Sequence, residues 1–124
     1  MGEVFNYVFD REKGILFKYY FGSISIEDIE SSWEYAFKNN IIPENTRRFL
    51  LDYRKATMGF SPKEYKKIPL FYQRNIKFFR NAKVAIITDS PKDIVIPELV
   101  KLKDSGYISM PFSTLEGALQ WLLV

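Results

Sequence analysis

Residues 83–89 read KVAIITD, and Val84 through Ile87 form an unbroken apolar run. A short β-branched run of this kind makes a strand. With no polar alternation, both faces of that strand must be covered. Such a strand sits inside a sheet that carries helices above and below it, and this requirement limits the rest of the chain to α/β arrangements.

The flanking patterns agree. EVFNYVFD and GILFKYYFG are aromatic, β-prone runs separated by a turn at Arg11–Gly14, which predicts a hairpin. In SIEDIESSWEYAFKNN, Ile26, Ile29, Trp33 and Phe37 recur at helical spacing behind a Ser25 cap. RRFLLDY predicts a buried strand ending at Asp52, with RKATMGF as a loop. SPKEYKKIPLFYQRNIKFF places Tyr65, Ile68, Tyr72, Ile76 and Phe79 on one helical face, with a break near Ile68 imposed by Pro69. After KVAIITD, a loop leads to a helix from near Pro97 that Gly106 ends. YISMPF predicts the last strand, and STLEGALQWLLV a helix burying Leu115, Leu119 and Leu122. The order ββαβαβαβα predicts one α/β domain over residues 1–124, with a mostly parallel sheet, one antiparallel edge strand and flanking helices.

Two absences narrow the chemistry. The 124 residues include no Cys and no His, which excludes disulfides, thiol nucleophiles, thiolate or imidazole metal sites and His-based acid–base catalysis. No acidic cluster resembles a calcium loop, so neither metal nor cofactor is expected. MGEVFNYVFD lacks the basic start and apolar run of a secretory signal, and no stretch reaches the roughly 20 apolar residues of a membrane span. A cytoplasmic protein is the resulting expectation.

FLLDY, followed nine residues after Asp52 by Ser61, and KVAIITDS, followed later by MPFSTLEGALQWL, resemble the STAS domain, the SpoIIAA-like family of anti-sigma-factor antagonists. Small uncharacterised bacterial STAS-like proteins look most similar, and these are related in shape to the CRAL-TRIO lipid-transfer domains. The resemblance implies a SpoIIAA-like fold and a regulatory protein–protein role. It also implies that Ser61 stands where the family's antagonists are phosphorylated by a partner kinase. Here Phe60 replaces the preceding Asp, and Pro62-Lys63 replaces the small residue and Gly that follow.

Ser61-Pro62-Lys63-Glu64 is also a helix-opening device, repeated at Ser90–Asp93 and Ser113–Glu116 and more loosely at Ser25–Asp28. Ser61 is therefore first a cap and second a candidate phosphosite. Residues 47–83 carry 11 basic and two acidic side chains. From these, Arg54, Lys55, Lys63, Lys66, Lys67, Arg74 and Lys77 make a candidate basic patch for an acidic protein or an anionic lipid. Nucleic acid is disfavoured because no RNA-binding signature accompanies the charge. Phe71 and Phe78 lie off the apolar stripe among these cations and are candidate interface aromatics, including for a homodimer. Asp52 and Asp89 end strands at the edge where α/β proteins place ligands. No nucleophile or phosphate-binding loop joins them, so the expected function is non-enzymatic. A carrier or sensor of lipid or another small apolar ligand is the alternative, because the Phe and Tyr of the first two strands could line a pocket. A carboxylate-dependent enzyme ranks last.

Overall fold

Residues 4–124 are described by a computed structural model. Strands β1 (Phe5–Asp10) and β2 (Ile15–Ile24) form the hairpin, followed by α1 (Ile26–Lys38) and β3 (Arg48–Met58). A 3-10 turn (Pro62–Glu64), α2 (Lys67–Arg74) and α3 (Ile76–Phe79) lead to β4 (Lys83–Ile87). The chain closes with α4 (Val95–Lys101), β5 (Ile108–Phe112) and α5 (Leu115–Leu122). The sheet runs in sequence order, β1-β2-β3-β4-β5, antiparallel at β1–β2 and parallel elsewhere.

Side-chain alternation splits the core into two layers. Leu16, Tyr20, Phe49, Leu51, Val84 and Ile86 face the layer built by α1 to α4, with Trp33 at its centre. Ile15, Leu50, Ala85 and Ile87 face α5, which supplies Ala118 and Leu122. KVAII is thus covered on both sides, as its apolar run requires. Leu115 and Leu119, expected to be buried, are partly buried and pack at the rim of the α5 layer.

Three boundaries differ from the sequence expectation. β3 does not end at Asp52 but runs to Met58, because Lys55–Met58 pair with Phe21–Ile24 of the equally long β2. The register shifts between Tyr19 and Phe21, so β3 carries a bulge there, and Asp52 Oδ1 accepts the Arg54 N–H at 2.9 Å inside it. The helix expected from Ser61 opens as a 3-10 turn, and α2 starts at Lys67 and contains Pro69; the break comes at Asn75. Pro69 is tolerated because it lies in the first turn, where its nitrogen needs no intrahelical partner. α4 begins at Val95 rather than at Pro97, with Pro97 again in the first turn.

The caps are unequal. Ser25 makes a complete capping box: its Oγ accepts from Asp28 N at 3.0 Å, and Asp28 Oδ2 accepts from Ser25 N at 2.9 Å. Ser61 Oγ accepts only from Lys63 N, at 3.2 Å, while Glu64 turns to Lys67. The last helix is capped by Thr114 rather than Ser113. Ser25→Ala should therefore cost about 1 kcal/mol, and Ser61→Ala about half that, since it caps an exposed three-residue turn. Paired urea melts test this; equal costs would mean that Ser61 holds more than its turn.

Candidate functional site

Of the two acids expected at strand ends, Asp52 lies within β3 and has a local partner. Asp52 is buried and its carboxylate is gripped by its neighbour: Arg54 Nε lies 3.0 and 3.1 Å from the two oxygens, and Arg54 Nη2 lies 2.6 Å from Oδ2. With the Arg54 amide added, every direction of that carboxylate is used to hold the bulge. Asp89 is exposed beyond β4. Tyr19, Phe21, Asp52, Arg54 and Lys55 line an open cleft of about 460 Å³ on the protruding β2–β3 ribbon. Among the described residues, no group of three or more acidic side chains converges as a metal site.

Several of the basic residues have acidic neighbours. Arg54 is taken by Asp52, Arg74 lies 3.8 Å from Glu30, and Lys67 lies 3.1 Å from Glu64. Lys77 sits over the Phe78 ring at 5.1 Å, and both border a depression with Arg47 and Arg80. Lys66 belongs to another group. With Pro69, Leu70, Gln73 and Lys103 it lines a shallow groove of about 300 Å³ between α2 and the end of α4. Leu70 is 56% exposed, and Leu102, next to Lys103, is 77% exposed.

Phe71 is not an exposed ring. It is buried at 3% exposure, and Phe37 stacks on Phe71 and, at 4.0 Å, on the half-buried Phe78. Both rings extend the core, because Phe71 of α2 and Phe78 of α3 pack on Phe37 of α1, a wider apolar face than the five-residue stripe in the sequence indicated. The unpartnered apolar side chain of α2 is Leu70.

Sequence reasoning missed the most unusual residue. Lys18 is fully buried on the α1 face of β2. Its Nζ donates to Ser32 Oγ at 2.5 Å and lies over the rings of Trp33 (3.8 Å), Tyr20 (4.6 Å) and Tyr7 (5.3 Å). Ser32 Oγ donates onward to Ile29 O, and Tyr7 Oη donates to Ser32 O. Among the described residues no carboxylate faces it, and burial drives the Lys18 amine well below its ordinary pKa. Burial likewise pushes the phenols of Tyr7, Tyr20, Tyr53 and Tyr72 up. The signal was present: in ILFKYYFG, Lys18 alternates in phase with Leu16 and Tyr20, both inward.

Between the sheet and the α2–α4 pair lies a cavity of about 30 Å³ bordered by Tyr53, Met58, Ile68, Tyr72, Val100 and Tyr107. It has room for a water molecule, whereas small-molecule pockets run to roughly 300–1,000 Å³. Of the Phe and Tyr side chains of β1 and β2, Tyr20 is buried in the core, Phe5, Tyr7, Phe9 and Phe17 pack partly buried against it, and Tyr19 and Phe21 line the open cleft.

No family model matches the sequence, and no curated protein matches it. Among solved structures, an uncharacterised DUF3478-family protein with a SpoIIAA-like fold from Shewanella loihica PV-4 is similar, with a TM-score of 0.63 at 17% identity over 95% of this chain and 91% of that one. This chain has a SpoIIAA-like fold. The SpoIIAA-like frame puts Ser61 on an exposed turn after β3, directly ahead of α2 and its lysines. No helix among the described residues is long and apolar enough to cross a membrane.

Proposed function

We propose that this SpoIIAA-like chain is a non-enzymatic regulatory domain that works by docking an acidic segment of another protein on the α2–α4 groove. One observation carries this reading: the exposed Leu70 lies in a groove bordered by Lys66 and Lys103, and Leu102, the neighbour of Lys103 in the chain, is exposed as well. Apolar side chains for burial, rimmed by charges of one sign, fit a partner segment that pairs leucine-like residues with Asp or Glu. The Asp52 carboxylate, in contrast, is committed to structure. Ser61 supports a regulatory version, because a phosphate there would add roughly two negative charges near Lys63, Lys66 and Lys67 and compete with an acidic partner.

The experiment is affinity capture from native lysate, with protein and lipid mass spectrometry on the same sample, comparing wild type with Leu70→Glu/Lys66→Glu. A protein retained by wild type and reduced at least about tenfold by the variant is the expected result. Equal recovery by both forms overturns it. Wild-type binding to phosphatidylglycerol vesicles that falls with salt, and no variant-sensitive protein, would assign the groove to an anionic membrane instead.

A further inference from the structure

The sheet has two outer edges, and the structure treats them differently. At β5, Ile108 N donates to Ala82 O and Thr88 N donates to Phe112 O, which phases the parallel ladder. Ile108, Met110 and Phe112 therefore bond to β4, and Ser109 and Pro111 face outward. Neither outward position offers a donor. The Ser109 N–H is taken by Asp104 Oδ2 at 2.6 Å, and Pro111 has none. At β1 the phase is set by Phe21 N donating to Val4 O at 2.9 Å. Asn6, Val8 and Asp10 then bond to β2, and the N–H and C=O groups of Phe5, Tyr7 and Phe9 point away from the sheet. Among the described residues, none of those three amides donates to a partner.

Nothing on β1 blocks the addition of a strand. Phe5–Phe9 reads FNYVF, without charge, proline or bulge, the usual devices that protect an edge. Beside it, Phe5, Tyr7, Tyr35 and Ile41 border an open aromatic groove of about 380 Å³, and Tyr35 is 50% exposed. The segment is also symmetric about its centre, with aromatic residues at 5, 7 and 9.

We infer that the β1 edge binds a second copy of this chain, antiparallel about Tyr7, joining two five-stranded sheets into one. Tyr7 then faces Tyr7 of the second copy, and Phe5 faces Phe9, with two N–H···O=C bonds at each of these pairs. Phe9 of the second copy lies over the groove beside Phe5 and Tyr35. On the opposite face Asn6 meets Val8, which is 50% exposed. The contact is isologous, and because the β5 edge offers no donors, assembly closes at two rather than growing. This surface is separate from the α2–α4 groove, so either reading can fail without the other.

Multi-angle light scattering from micromolar to near-millimolar concentration tests it. The wild type should shift from 14.6 kDa toward twice that mass. Asn6→Lys/Val8→Lys puts lysine opposite lysine at two positions without touching the core, and should weaken association at least about tenfold while leaving the melting temperature of the monomer unchanged. Asn6→Glu/Val8→Lys puts unlike charges opposite each other and should restore it. Amide exchange at Phe5, Tyr7 and Phe9 should slow with association in the wild type. A wild type monomeric throughout overturns the inference, as does a double-lysine variant that associates like wild type or a Glu/Lys variant no tighter than the double-lysine form.

Discussion

Lys18→Met should raise stability at neutral pH by on the order of 2 kcal/mol and remove most of the pH dependence of unfolding. The amine is fully buried, and among the described residues it has one hydroxyl partner and no counter-charge. Burial favours its neutral form when folded, whereas the unfolded chain keeps the lysine protonated up to about 10.5. Folding at a pH between the depressed value and the ordinary one therefore releases a proton. Wild-type stability should rise with pH, by about 1.4 kcal/mol per unit, across the window between the depressed folded value and the ordinary one, and be lost as pH falls through it. Above pH 10 the buried tyrosines reverse the trend. Their phenols ionise later when folded than when unfolded, so that part of the stability is lost as pH rises. Maximum stability is expected near pH 10.

The measurement is unusually clean because the chain has no His and no Cys, the side chains that ordinarily titrate between about pH 6 and 9. The opposing force is the attraction of an ammonium to the faces of Trp33, Tyr20 and Tyr7. Such contacts contribute about 2 kcal/mol when desolvated, less than the several kcal/mol lost on burying an ion. Urea melts of wild type that stay flat from roughly pH 6 to 9 would show that the aromatic faces hold a charged lysine after all.

Trp33→Ala should produce the largest loss, about 3–5 kcal/mol, against a total stability of roughly 5–15 kcal/mol for a native domain. Trp33 is fully buried and its ring meets Phe49 at 5.8 Å, Phe79 at 5.1 Å and Tyr72 at 6.2 Å, tying α1 to the sheet and to α2–α3. It also roofs the Lys18 amine, so its removal admits water to that amine and should flatten the pH dependence along with the stability. Trp33→Phe should cost less, about 1–2 kcal/mol, since the indole N–H is buried without a partner and its loss offsets part of the lost packing. Urea midpoints at constant m-value test both; a Trp33→Ala midpoint within error of wild type would remove Trp33 from the centre of the core.

The sequence determined the layers. An apolar run at Val84–Ile87 requires cover on both faces, and helical spacing at Ile26, Ile29 and Trp33 selects which side of α1 supplies it. Those are local periodicities, and burial acts on each residue independently of its distant neighbours. What depends on pairing was decided only in three dimensions. Arg54, Lys55 and Thr57 look like loop, but they are strand because β2 continues beside them. Phe71 looks exposed until Phe37 stacks on it. Lys18 is buried because α1 closes over β2, a contact between residues 14 apart. The two edges are unequal for the same reason: Asp104 reaches the Ser109 amide across a turn, while among the described residues nothing accepts from the Tyr7 amide. Sequence periodicity reports which side a residue faces, and tertiary structure decides what it meets there.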